Sequence, residues 1–305
     1  MSLRVTQGMM HLQLNRNLNR NITQMSEIQE QTTTGRKINK PSDDPVGMTY
    51  SIRYRAELAG NLQYQKNVDA AMSWLEFNDT VVDQAGNVLH KIKELTTQAA
   101  TGTNPQIALD SIKNEIEQLK NQLMDIGNSK LNGKYVFNGE QFDKMPYDAT
   151  TPGFDAKSVA TDSGSIEYAV GVNAKLDINF TGDQLFGAAD PTGTGKNIFS
   201  VLDRLMTSLS SGNQSGIKAE ISNIDAGMDR MLNVRSEIGA RVNRVELMQN
   251  RLADLEINLT DMKSKTEDAD YEKLLISSQI NENIYQASLA VGSKVIKQSL
   301  VDYLR

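Results

Sequence analysis

Hydrophobic side chains near the start of the chain recur three and four residues apart, at Met10, Leu14, Leu18, Ile22, Met25 and Ile28, with Asn and Gln filling the other faces. That spacing lines one side of an α-helix. The stripe is narrow, and asparagine side chains compete for backbone hydrogen bonds, so such a helix is marginal alone in water. A turn signal follows at Thr34-Gly35-Arg36 and another at Pro41-Ser42-Asp43-Asp44-Pro45. There Asp43 and Asp44 are placed to cap a second helix and Pro45 to occupy its first turn. Ile52, Leu58, Leu62, Leu75, Val82, Leu89, Ile92 and Leu95 continue the period without a proline, predicting one helix from Pro45 to about Ala100. At 1.5 Å per residue that is a rod of roughly 80 Å. Asn104-Pro105 repeats the start signal, and Leu109, Ile112, Ile116, Leu119, Leu123 and Ile126 then form a heptad seam.

From Gly127 to about Lys196 the helical period gives way to turn formers, and KYVF, IEYAV and LDINF read as short strands. A compact β-rich insertion is expected here, carrying nine acidic residues and four lysines over 139–196, nearly the whole net charge of −6. After a short helix ending near Gly212, a stripe from Ile217 to Met262 keeps the bundle period, and Ile276, Ile280, Ile284, Ala287, Val291 and Val295 form a last one. Glu267, Asp268 and Asp270 follow a lysine-rich turn at Lys263 and Lys265 and read as the start of the last helix, where carboxylates suit the helix dipole. The expected fold is therefore mainly α: an elongated bundle of long antiparallel helices from both chain ends with a small β-rich domain inserted in the middle. Its segments are an assembly helix and turn (1–44), the first part of a helical rod (45–127), the insertion (128–196), the second part of the rod (197–265) and a C-terminal assembly helix (266–305).

Composition narrows the function. Hydrophobic residues make up 39% of the chain and aromatics 6%, with Trp74 the one tryptophan, which suits thin bundles better than a thick core. A pI of about 5.2 and no basic block exclude nucleic acid as a natural partner. With no Cys, and His only at His11 and His90, neither a zinc site nor thiol chemistry is expected, so metal, cofactor and catalytic residues are all read as none. PTGTGKN at 191–197 lacks the first Gly and the final Ser or Thr of a phosphate loop. The first residues never gather the apolar run of a secretory signal, and no stretch approaches a membrane span. Arg241, Asn243, Arg244 and Glu246 fit either a contact with neighbouring subunits or a solvated helix face. A hydrolase or a binding module in the acidic insertion would need a pocket or an apolar patch there.

Four stretches carry a family resemblance: TTGRKINKPSDDP at 33–45, NGKYVFNG at 132–139, IGARVNRVELMQNRL at 238–252 and NLTDMKSKTEDADY at 258–271. Together they resemble the flagellin superfamily over nearly all of 4–138 and 198–305. Pro41-Ser42-Asp43-Asp44-Pro45 and Tyr135-Val136-Phe137-Asn138-Gly139 are similar to its branch at the junction of hook and filament, while Val301-Asp302-Tyr303-Leu304-Arg305 keeps a filament-like ending. The resemblance implies a structural subunit, not an enzyme, that forms a ring of copies and meets the first hook-associated protein and flagellin. It also implies passage through the flagellar type III export apparatus, with a cytoplasmic export chaperone and no cleaved signal or membrane insertion. On the same resemblance, the terminal stripes are assembly surfaces that become ordered when subunits stack.

Overall fold

The computed structural model describes residues 7–102 and 104–297, with side chains for 8–102 and 104–294. In chain order the elements are α1 (Gln7–Thr34), α2 (Pro45–Ala99), α3 (Gln106–Gly127), β1 (Lys130–Leu131), β2 (Lys134–Tyr135), a 3-10 turn (Ala156–Ser158), β3 (Glu167–Gly171), β4 (Ala174–Asp177), α4 (Gly182–Phe186), α5 (Ile198–Ser210), α6 (Gln214–Glu267) and α7 (Tyr271–Lys297). The chain divides into two compact units, Met1–Gly60 with Leu255–Arg305, and Asn61–Asp254. Each division point falls inside a long uninterrupted helix, α2 of 55 residues and α6 of 54.

The Asn61–Asp254 unit holds the larger core. Val68, Leu75, Val82, Leu89 and Ile92 of α2, the α3 seam, Leu202, Leu205 and Leu209 of α5, and Ile217, Ile224, Met231, Ile238, Val245 and Leu252 of α6 are buried together. The 3.6-residue period marked the inward faces of α2, α3 and α6, although Leu62 of the α2 stripe is exposed, and no stripe was read for α5; each fully buried Leu or Ile contributes about 1.5–3 kcal/mol. Asn104 does not cap α3 as its position before Pro105 suggested. Its Nδ2 donates instead to the Gln98 carbonyl at 2.7 Å, and α3 begins after Pro105 with no side-chain cap.

The insertion is poorer in strands than the sequence suggested. It contains two antiparallel hairpins, β1–β2 and β3–β4, of which the first pairs only Lys130 with Tyr135 and Leu131 with Lys134. Asn132 and Gly133, both at positive φ, make the two-residue turn between them. Val136, Phe137, Ile178 and Phe180, expected within strands, lie outside them and are buried in the same core as the helices. Tyr147 packs edge-on to Phe186, and both rings meet Phe199 of α5 at 5.2 Å between centroids. Gly127, at the end of α3, admits this cluster: a Cβ there would stand 2.7 Å from Tyr147 Cε2. Acidic side chains tie these loops together, some within one turn and some across the insertion. Asp148, Asp155, Asp162, Asp183 and Asp190 each accept a backbone N–H, from Thr150, Lys157, Glu140, Thr161 and Gly195 respectively. Of the nine carboxylates that concentrate charge in this region, Asp148, Asp155 and Asp190 thus close turns, and Asp162 and Asp183 tie segments 22 residues apart. In the sequence resembling a phosphate loop, Asp190 fills the loop from within and Arg204 donates to the carbonyls of Gly193 and Gly195.

Candidate assembly site

The terminal unit is organised around two turns. Gly35, at φ 70°, ends α1 with its N–H on the Gln31 carbonyl, and the backbone then runs antiparallel to the end of α6. Lys37 N–H donates to the Glu267 carbonyl at 2.8 Å, and Ala269 N–H to the Gly35 carbonyl at 3.0 Å. Beneath this bridge lies the Glu267 carboxylate, its side chain 1% exposed. It accepts from Ser51 Oγ at 2.5 Å and from Arg55 Nε at 2.9 Å, and lies 2.6 Å from both Arg36 Nε and Arg55 Nη2. Burial pushes this carboxyl upward, but Arg55, Ser51 and Arg36 outweigh it and hold the carboxyl below the ordinary glutamate range. The sequence reading put Glu267 at the start of the last helix after a lysine-rich turn. It is instead the last residue of α6, Lys263 and Lys265 are helical, and Asp270 is the residue that accepts from the first turn of α7, at Lys273 N–H.

The paired aspartates before α2 have different tasks. Asp44 Oδ1 accepts from the N–H groups of Val46 and Gly47 at 3.1 and 3.0 Å, which is N-cap geometry ahead of Pro45. Asp43 does not cap the helix. Its Oδ2 accepts from Asn39 and Lys40 N–H at 3.0 and 2.9 Å, closing the preceding turn, and those bonds depress its pKa. Gly47 is required here, because a Cβ would stand 2.4 Å from Asp44 Oδ2 and 2.6 Å from the buried Ile38.

Helices α1 and α7 pack on each other. On α1 the half-buried positions His11, Leu14, Leu18, Asn21, Met25, Ile28 and Thr32 form a heptad seam, with Glu30 and Gln31 half-buried beside it. Met10 and Ile22, read as part of the stripe, are 41% and 44% exposed and lie off that seam. On α7 the seam is Leu274, Ser278, Asn281, Tyr285, Ser288 and Gly292, not the aliphatic stripe. Ile276, Ile280, Ile284 and Val291 are 61%, 51%, 44% and 58% exposed, and Ala287 is exposed beside them. The two stripes therefore do not meet each other in the monomer, and α7 turns its isoleucines outward. The side chain of Val295 and the 301–305 ending lie outside the described residues.

In the other unit, Arg241 is committed within the chain. It donates to the carbonyls of Asp177 and Asn179, pairs with Glu237 at 2.6 Å and lies over the Phe180 ring. Asn243, Arg244 and Glu246 are exposed. Sequence reasoning missed Ser51 and Arg55, and missed that they and Arg36 meet Glu267 from more than 200 positions away.

Two family profiles match the ends of the chain: the bacterial flagellin N-terminal helical region over residues 5–141 and the C-terminal helical region over 221–304. Flagellar hook-associated protein 3 of Escherichia coli K12 is 24% identical, over 94% of this chain and 95% of that protein. A flagellin of Bacillus subtilis is 26% identical, over 93% of each. The crystal structure of the flagellar junction protein FlgL from Legionella pneumophila superposes with a TM-score of 0.57 at 18% identity, covering 73% of this chain and all of that one.

Proposed function

This chain belongs to the bacterial flagellin family, and from that premise we propose that it is the adaptor joining the flagellar hook to the flagellin filament. It is a structural component of the flagellum. In this role it forms a ring of copies with the first hook-associated protein on one side and flagellin on the other. Its work is done by surfaces rather than by chemistry.

The observation that carries the reading is the outward aliphatic face of α7. Four large side chains about half exposed, at helical spacing, form a seam with no counterpart in the monomer. Returning each to full burial against a neighbour is worth about 1 kcal/mol, and the sum is multiplied over every copy in a ring. Met9, Met10, Leu12 and Ile22 on α1 add further exposed apolar area. Asn243, Arg244 and Glu246 are polar candidates for lateral contact, whereas Arg241 is a tie to the insertion. The prolines of Pro41–Pro45 and the Tyr135–Gly139 segment favour the junction over the filament. Full-length similarity to a filament flagellin supports the second reading, a filament subunit.

Export through the type III apparatus with a dedicated chaperone follows from the same premise. A chain without cysteine crosses a narrow channel with no disulfide to reduce. Among the described residues no helix is long and apolar enough to cross a membrane. Deleting the gene tests the reading: cells should keep hooks, lose attached filaments and shed flagellin into the medium. Normal filaments on the mutant would reject it.

A further inference from the structure

Apart from the close approach of Leu14 to Gly292, the α1–α7 seam is made of small polar positions facing repeated aliphatic ones. The α7 side presents Ser278, Asn281, Ser288 and Gly292, and the α1 side repeats Leu14, Leu18, Met25 and Ile28 at heptad spacing. A slip of seven residues exchanges one small polar side chain for another where Asn281 would replace Ser288, while at the tip it sets Tyr285 where Gly292 now meets Leu14. Two side-chain hydrogen bonds that cross the pair are long, Asn21 Nδ2 to Ser288 Oγ at 3.4 Å and Tyr271 Oη to the Thr32 carbonyl at 3.5 Å. The base of the pair is different. There the Glu267 carboxylate has contacts of 2.5–2.9 Å to Ser51, Arg55 and Arg36, and two backbone bonds join the turns directly above it.

We propose that Glu267 is the positioning residue of the assembly ends: by holding Arg36 and Arg55 it fixes the α1–α2 turn against the α6–α7 turn and so sets the register in which α1 and α7 pair. The proposal rests on the reading above only in taking these ends to be the assembly surfaces. Both guanidinium groups reach solvent, at 44% and 38% side-chain exposure, but the carboxylate at 1% does not. Water can replace a partner for either arginine. It cannot do so for Glu267 in its buried place, so pulling Arg36 or Arg55 away while the carboxylate stays buried strands its charge. The terminal helices then leave this base in a preset alignment, with the α7 isoleucines facing outward before any neighbour is met.

The chain has no cysteine, so introduced pairs read the register cleanly. Leu14→Cys with Gly292→Cys reports the observed register, and Leu14→Cys with Tyr285→Cys reports a slip of one heptad. In the full-length parent, mild oxidation should join the first pair in large excess over the second, even while the helix ends fray. With Glu267→Gln added, the ratio should fall at least fivefold, and amide exchange at Lys37 and Ala269 should quicken at least tenfold. Exchange within 61–254 should not change, which separates lost positioning from lost folding. Arg55→Lys in the parent background, which keeps a charge in reach of Glu267, should retain part of the excess that Glu267→Gln loses. An unchanged ratio and unchanged Lys37 and Ala269 exchange in Glu267→Gln would overturn the proposal. The measurement uses isolated monomer, so its result is independent of where the protein sits on the flagellum.

Discussion

Leu14 of α1 lies so close to Gly292 of α7 that a Cβ on the glycine would stand 2.9 Å from Leu14 Cδ2. The contact is with the far end of a flexible side chain, so Gly292→Ala should be tolerated. The small clash is offset by about 1 kcal/mol of helix propensity gained over glycine. Gly292→Phe has no such outlet and should force α1 and α7 apart. Filament attachment in complemented deletion cells should survive the first substitution and fail with the second.

The inward and outward faces of the terminal helices predict different failures. Ile284→Asp places a charge on the exposed stripe, so filament attachment should be lost while the monomer keeps its helix content and melting temperature. Leu18→Asp places the charge in the α1–α7 seam, so attachment should be lost and amide exchange throughout α1 should also rise. Identical monomer behaviour in the two variants would contradict the assignment of faces.

The two aspartates before α2 separate in the same way. Asp44→Ala removes the acceptor of the Val46 and Gly47 amides and should cost about 1 kcal/mol at the start of α2. Gly47→Ala should produce a comparable loss by displacing Asp44. Asp43→Ala should open the Asn39–Asp43 turn and leave the helix start protected. Hydrogen exchange at residues 46–50 distinguishes the three.

Acid should release the turns through Glu267. Its carboxyl is depressed below the ordinary value near 4.5, so its contribution is fully present above that pH and is lost as pH falls through the lower folded value. Asp43 and Asp270 are depressed as well and titrate nearby, held by the Asn39–Lys40 amides and by Lys273. The Glu267→Gln variant isolates the effect: protection of Lys37 and Ala269 should drop in acid in the parent and be low and nearly flat with pH in the variant.

Helix positions were legible in the sequence where a strong period coincided with burial. Leu109 to Ile126 gave α3 its inward face, and the proline-free run from Pro45 gave α2 its length. The orientation of α7 was not legible, because its monomer seam is built from Ser278, Asn281, Ser288 and Gly292 while its aliphatic period marks the exposed side. A hydrophobic pattern shows which side seeks burial, not which side is buried in one copy. The Glu267 cluster was hidden by chain separation: Arg36 and Glu267 stand in opposite halves, and each reads locally as an ordinary charge in a turn. In the insertion, Asp and Asn side chains tie loops where LDINF suggested a strand, and Ile178 and Phe180 are buried in a loop beyond β4.

The central claim is a place on the flagellum, and immunogold labelling of intact flagella tests it most directly. The account predicts label confined to a narrow band where hook meets filament. Label distributed along the filament would contradict it and identify a filament subunit instead.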